Sequence, residues 1–131
     1  MNEYNLILLA LCMWREARGE GADGMTAVGC VIRNRVKTWN QTYRDVIVGK
    51  DQFSSMTVLG DSNTVYYPPD GDSVFVLAAD VLLEGAADVT GGALYYANET
   101  SANISDWYKV HVIEDPAHGI TAQIGHHTFR R

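Results

Sequence analysis

Residues 14–20 read Trp14-Arg15-Glu16-Ala17-Arg18-Gly19-Glu20, two carboxylates four positions apart among guanidinium groups. Glu16 closes an apolar stretch that runs from Leu6 to Trp14, so it falls in the last turn of a helix. There a carboxylate meets the negative end of the helix dipole and loses part of its water, and both effects favour the protonated acid. A carboxyl that keeps its proton near neutral pH is what general acid catalysis needs. The competing reading is structural: an ion pair of Glu16 with Arg15, Arg18 or an arginine of the next helix. Glu20 has three possible roles, as a second catalytic carboxylate, a sugar ligand, or a partner for Arg18 or Arg33.

Metal chemistry has little to stand on. Adjacent histidines such as His126 and His127 point to opposite sides of a strand and cannot easily hold one ion. There is no His-x-x-Glu-His run and no cysteine cluster, so a zinc peptidase is excluded and no cofactor or metal is expected. Cys12 and Cys30 lie in apolar runs without CxxC spacing. They read as two buried thiols, with one disulfide as the alternative.

The elements that must carry these groups follow from spacing. Leu6, Leu9, Ala10, Met13, Trp14 and Ala17 share one face of a helix over Glu3–Arg18, stopped by Gly19 and Gly21. Asp23 is expected to cap a second helix to about Val36, with Met25, Val28, Ile32 and Val36 inward. Thr42–Val48 reads as a short helix capped by Thr42 and ended by Gly49, and Asp51–Gly71 as an irregular loop. Asp72 caps a further helix over Ser73–Glu84 with Gly85 at its end. Ala93–Tyr96, Trp107–Ile113 and Gln123–Phe129 are aromatic or β-branched and read as short strands. The expected fold class is α+β, mainly helical, with a few short strands in the C-terminal third. No repeat or linker divides the chain, and residues 1–131 are expected to form a single domain.

Composition narrows the partners. The chain has 131 residues, 47% hydrophobic and 20% charged, an ordinary globular balance. Its net charge of −6 is uneven. Residues 1–50 carry seven Lys/Arg against five Asp/Glu, a balance of +2, and residues 51–131 carry three against eleven, a balance of −8. An acidic chain without a basic stripe is a poor binder of nucleic acid, so none is expected. The apolar run Leu6–Trp14 is too short to span a membrane and lacks the flanks of a secretory signal, so membrane insertion is not expected.

Glu16-Ala-Arg-Gly-Glu20, Gly24-Met-Thr-Ala27-Val28 and Val31-Ile-Arg-Asn34-Arg35-Val36 together resemble the SleB-type cell-wall hydrolases. The resemblance continues through Gln52-Phe53-Ser54, Thr90-Gly-Gly-Ala93-Leu94-Tyr95-Tyr96 with Asn98, a lone Trp107, and Ile124-Gly125-His126-His127-Thr-Phe129. The pieces are weak singly but keep the family's order over about residues 8–131. The resemblance implies a lysozyme-like fold and cleavage of the MurNAc–GlcNAc bond in peptidoglycan glycan strands. It puts the family's catalytic Glu at Glu16 and implies a lytic transglycosylase, in which one carboxyl acts as acid and then base to give a 1,6-anhydro product. It also implies a saccharide cleft in which Tyr96 and Asn98 face the substrate, with Gln52 and Phe53 as the opposite wall. Glu20 and His127 join them as substrate-binding candidates.

Rival readings are a hydrolytic muramidase using Glu16 with Glu20 or an Asp of residues 51–72, a silent wall-binding module, and, more remotely, a disulfide-stabilised structural protein. Departures from the family are the long 51–71 insertion and the lack of a wall-binding module or spore-type signal. They suggest a monomeric phage lysis protein, an endolysin, made in the cytoplasm and reaching the bacterial wall with holin-dependent release.

Overall fold

A computed structural model describes residues 2–50 and 52–131. Helix α1, Glu3–Ala17, starts where the Asn2 side chain accepts from the amides of Tyr4 and Asn5. Arg18–Glu20 form a 3-10 turn, and α2 follows at once as Gly21–Trp39. Asp23 is therefore inside the first turn of α2 and does not cap it: the 3-10 turn carries the chain into the helix three residues early. At the other end Asn40 takes the left-handed conformation and closes α2 beyond the expected Val36.

Thr42 caps α3, Tyr43–Val48, as its sequence indicates. The 51–71 region is mostly turns but includes one short helix, α4, Ser54–Thr57. Asp51, its expected first residue, lies outside the described residues. Helix α5 is Val74–Leu82, with the Asp72 carboxylate accepting from the Val74 amide at 2.9 Å. Glu84, not Gly85, carries the positive φ after it, and its side chain forms an exposed ion pair with Lys37.

The three strands are β1, Tyr95–Ala97, β2, Ile120–Ile124, and β3, His127–Arg130, in the antiparallel order β1-β3-β2. What reads as one strand over Gln123–Phe129 is a hairpin, because Gly125 turns the chain at φ 58°. Trp107–Ile113 is not a strand. Ser105 caps α6, Asp106–Tyr108, and the chain continues as a π turn over Lys109–Ile113. Trp107 packs on His111 at 5.2 Å, and Tyr108 and Val112, also four apart, are buried together on the inner side. Burial at helical spacing overrides the β preference of these residues.

The core is built around α1, which packs on α2, α3 and α5. Leu9, Met13, Val28, Ile32, Ile47, Ala78 and Val81 fill it. Gly29 lets the helices close, since a Cβ there would lie 3.0 Å from both the Met13 sulfur and a Val81 methyl. A smaller cluster of Ala27, Val31, Ala93 and Phe129 joins α2 to the sheet. Cys12 and Cys30 are both buried and free, as their surroundings predict.

Candidate active site

Glu16 ends α1 at the floor of a cleft of about 470 Å³ lined on one side by Gln52 and Phe53 and on the other by Tyr96, Asn98 and His127. Five of the six substrate-side candidates and the candidate acid thus share one cleft. The two walls come from segments far apart in the chain. α2 holds the wall that carries Tyr96 in place through its side chains: Asn34 donates to the Asp88 carboxylate and the Ala93 carbonyl at 2.9 and 3.0 Å, and Arg35 to the Leu94 carbonyl at 2.7 Å. Asp88 in turn accepts from Thr90 and the Gly92 amide. These bonds aim β1 at the end of α1. On β3, Arg130 forms a two-pronged bond to Glu99 at 2.7 and 2.9 Å, fastening the loop that carries Asn98.

Both oxygens of Glu16 are engaged. The Tyr96 hydroxyl donates to Oε1 at 2.5 Å and the Ser55 hydroxyl to Oε2 at 2.7 Å. Ser55 is buried, and it is the site residue that the sequence reading missed. No motif marks it: only its contact across 39 residues reveals it. The competing reading, an ion pair of Glu16 with Arg15, Arg18 or an arginine of α2, is not what the described residues show. Arg15 turns instead to backbone carbonyls of the 55–66 segment, and Arg18 to Asn63. Among the described residues that line this cleft, Glu16 is the only carboxylate.

Tyr95 lines the cleft as well as Tyr96, although neighbours on a strand point to opposite faces, because the three-residue strand runs along the cleft edge. Burial, with the Glu16 carboxylate beside it, pushes the Tyr96 hydroxyl well above its usual pKa, so it remains a donor. His127 lies edge-on to Tyr96 at 5.0 Å. Burial draws its pKa below the usual value, against the opposing pull of Glu20 and Glu16, so the ring is neutral at neutral pH. Its Nδ1 is buried without a protein partner. Arg35 places a largely buried cation between Phe53, Trp39 and Tyr95, 5.2–5.9 Å from their ring centres. Trp107 stands exposed on the rim, where a broader hollow of about 1040 Å³ continues the cleft past Gln52.

Glu20 lies apart from this cleft. It borders a separate hollow of about 300 Å³ that Glu16 reaches from the other side. Its carboxylate accepts from the His126 amide at 3.2 Å and contacts His126 Nδ1 at 3.0 Å. Neither Arg18 nor Arg33 is its partner: Arg33 bonds the Val81 carbonyl instead. What burial it has raises its pKa, but the bonds from His126 outweigh that and hold the carboxyl below its ordinary value.

A family model for cell wall hydrolases matches residues 19–130. The chain belongs to the cell wall hydrolase family. Two solved structures are similar over essentially the whole chain. The catalytic domain of the germination-specific lytic transglycosylase SleB from Bacillus anthracis matches at TM-score 0.75 and 26% identity, covering 100% of this chain and 97% of that one. The catalytic domain of Bacillus cereus SleB matches at TM-score 0.74 and 27% identity, covering 99% and 91%. No curated protein matches. The SleB-type, lysozyme-like fold expected from the motifs is the fold observed, and the chain is a cell-wall-degrading enzyme. In this cell wall hydrolase the family match begins at Gly19, three residues past Glu16, while the structural matches take in α1 as well.

Proposed function

We propose that this chain degrades peptidoglycan by cleaving the MurNAc–GlcNAc β-1,4 bond as a lytic transglycosylase, with Glu16 as its one acid and base. The observation that carries this reading is that Glu16 is the sole carboxylate lining the main cleft among the described residues, with a hydroxyl on each oxygen. Similarity to two SleB catalytic domains, one described as a lytic transglycosylase, supports it.

The chemistry runs in two halves. Glu16 gives its proton to the glycosidic oxygen, the C1–O bond breaks, and the GlcNAc end leaves as an alcohol. The Glu16 carboxylate then takes the proton from the C6 hydroxyl of the same MurNAc, whose oxygen bonds to C1. The product is a 1,6-anhydro ring, no water is consumed, and Glu16 ends protonated for the next turnover. Hydrolysis by two carboxylates would need a second acid placed across the bond. The hydroxyls of Ser55 and Tyr96 donate to Glu16 in its charged form, and either can turn to accept when it carries the proton. In this reading Gln52, Asn98 and the neutral His127 supply hydrogen bonds to the sugars, and Phe53 with Tyr96 the apolar wall.

Mass spectrometry of muropeptides released from purified sacculi tests the proposal. Anhydro-MurNAc ends are expected, one water lighter than hydrolytic ends. Reducing MurNAc as the only end would overturn it in favour of a muramidase in which Glu20 serves the water.

A further inference from the structure

Glu16 sits between two arginines, Arg15 on α1 and Arg18 in the 3-10 turn that follows, and both grip the segment that faces it. Arg15 is 7% exposed. Its Nη1 donates to the Ser55 carbonyl at 2.9 Å, Nη2 to the Thr64 carbonyl at 2.7 Å and Nε to the Tyr66 carbonyl at 3.0 Å. Its guanidinium also lies over the Tyr67 ring at 4.9 Å. Arg18 covers the Tyr66 ring at 3.8 Å and donates to Asn63 at 3.3 Å.

The other side-chain hydrogen bonds of the gripped segment run mostly within it, from Ser54 and the Asn63 amide to the Asp61 carboxylate, while Met56 packs against the core. Apart from α4 the segment is turns, and Leu59, Val65 and Tyr67 are largely exposed. Few buried apolar contacts mean low local stability. Bonds from a charged, planar fork to three carbonyls are stronger and more directional than neutral ones. The first carbonyl that Arg15 holds belongs to Ser55, the residue whose hydroxyl reaches Glu16.

We propose that Arg15, with Arg18 beside it, is a positioning residue for the acid: it fixes the 54–67 segment so that the Ser55 hydroxyl stays on Glu16. The chain Arg15–Ser55 carbonyl–Ser55 hydroxyl–Glu16 leaves α1 and returns to the next residue of the same helix. An insertion that reads as a passive loop thereby supplies one of the two hydrogen bonds on the reacting carboxyl. The proposal rests on the reading of Glu16 as the acid.

A double-mutant cycle tests it, with kcat and KM measured on soluble, un-cross-linked glycan strands and folding checked by circular dichroism and thermal melts. Ser55→Ala should lower kcat by roughly 10- to 100-fold, what a hydrogen bond to a charged group is worth, with KM within about twofold. Arg15→Ala should do the same. In the Ser55→Ala background, Arg15→Ala should cost less than about threefold more, because the two act through one contact. Arg15→Lys, with one ammonium for three carbonyls, should fall between. Multiplying effects, or wild-type kcat in Arg15→Ala, would overturn the proposal. Where Arg15→Ala does not fold, the cycle of Arg15→Lys with Ser55→Ala is read by the same criteria. Glu16→Gln separates the two levels: lysis by a folded Glu16→Gln protein defeats the reading of Glu16, whereas an inactive Glu16→Gln with no Arg15–Ser55 coupling defeats the positioning role alone.

Discussion

The Tyr96 hydroxyl donates a 2.5 Å hydrogen bond to Glu16 Oε1 across 80 residues of chain. This bond ties the sheet to the end of α1, since Tyr96 pairs with Phe129 on β3 and stacks on its ring at 5.7 Å. It also sets the direction of one carboxylate oxygen, leaving the other to Ser55. The Glu16 carboxylate is thus oriented by one wall of the cleft and by the segment opposite.

Glu16→Gln is expected to keep the fold and reduce wall lysis by at least ~100-fold, the lower range of a general acid's contribution. The amide keeps the size of the side chain and both hydroxyl contacts but cannot cycle a proton. Turbidity of purified sacculi, with thermal melts as the control for folding, checks this.

Tyr96→Phe removes the donor while leaving the ring packed on Phe129. Lysis should drop by about 10- to 100-fold, in line with losing a hydrogen bond to a charged group. Because the Tyr96 hydroxyl is held well above its usual pKa, the wild type should show no loss through its ionisation at pH 9–10. A pH–rate series on both proteins reads the difference.

Stability should fall on acidification below about pH 6.5, the ordinary value for histidine. His127 has a lowered pKa in the folded state, so the unfolded chain binds the proton first. The stabilisation is complete above that value and is lost as pH falls towards the folded pKa. His127→Asn should flatten the slope of Tm against pH between 6.5 and 5 relative to wild type. Equal slopes would show that His127 is not the group responsible.

Glu20→Gln should lower activity several-fold without changing the product from the anhydro form. Glu20 holds the turn before β3 through His126, and the next residue, His127, borders Tyr96. The amide retains one acceptor, so the tether weakens but survives. Muropeptide masses and initial rates together give the answer, and complete inactivation of a stable Glu20→Gln protein would argue for a second catalytic carboxylate.

Gly125→Ala probes the same tether from the other end. Gly125 has φ 58°, and a Cβ there would collide with the Glu20 carboxylate. The substitution should destabilise the protein by about 1–3 kcal/mol from the left-handed backbone and the displaced side chain. Urea unfolding measures it.

What the sequence by itself determined was local. Apolar spacing places α1, α2 and α5 and sets Glu16 in the last turn of α1, since a helix periodicity needs no information beyond its own residues. The ordered motifs also point to Glu16, Gln52, Phe53, Tyr96, Asn98 and His127, which the fold gathers into one cleft. Only the tertiary structure decided the partners. Arg15 is as close to Glu16 in sequence as a residue can be, yet successive residues on a helix point in different directions, and its guanidinium finds carbonyls of residues 55, 64 and 66. Ser55 carries no pattern, and its role comes from where a turn-rich segment is pinned. Glu20 meets His126 across 106 residues, and residues 107–113 coil because their inner side is buried. Pairings of this kind depend on how distant segments pack, and no spacing along the chain encodes them.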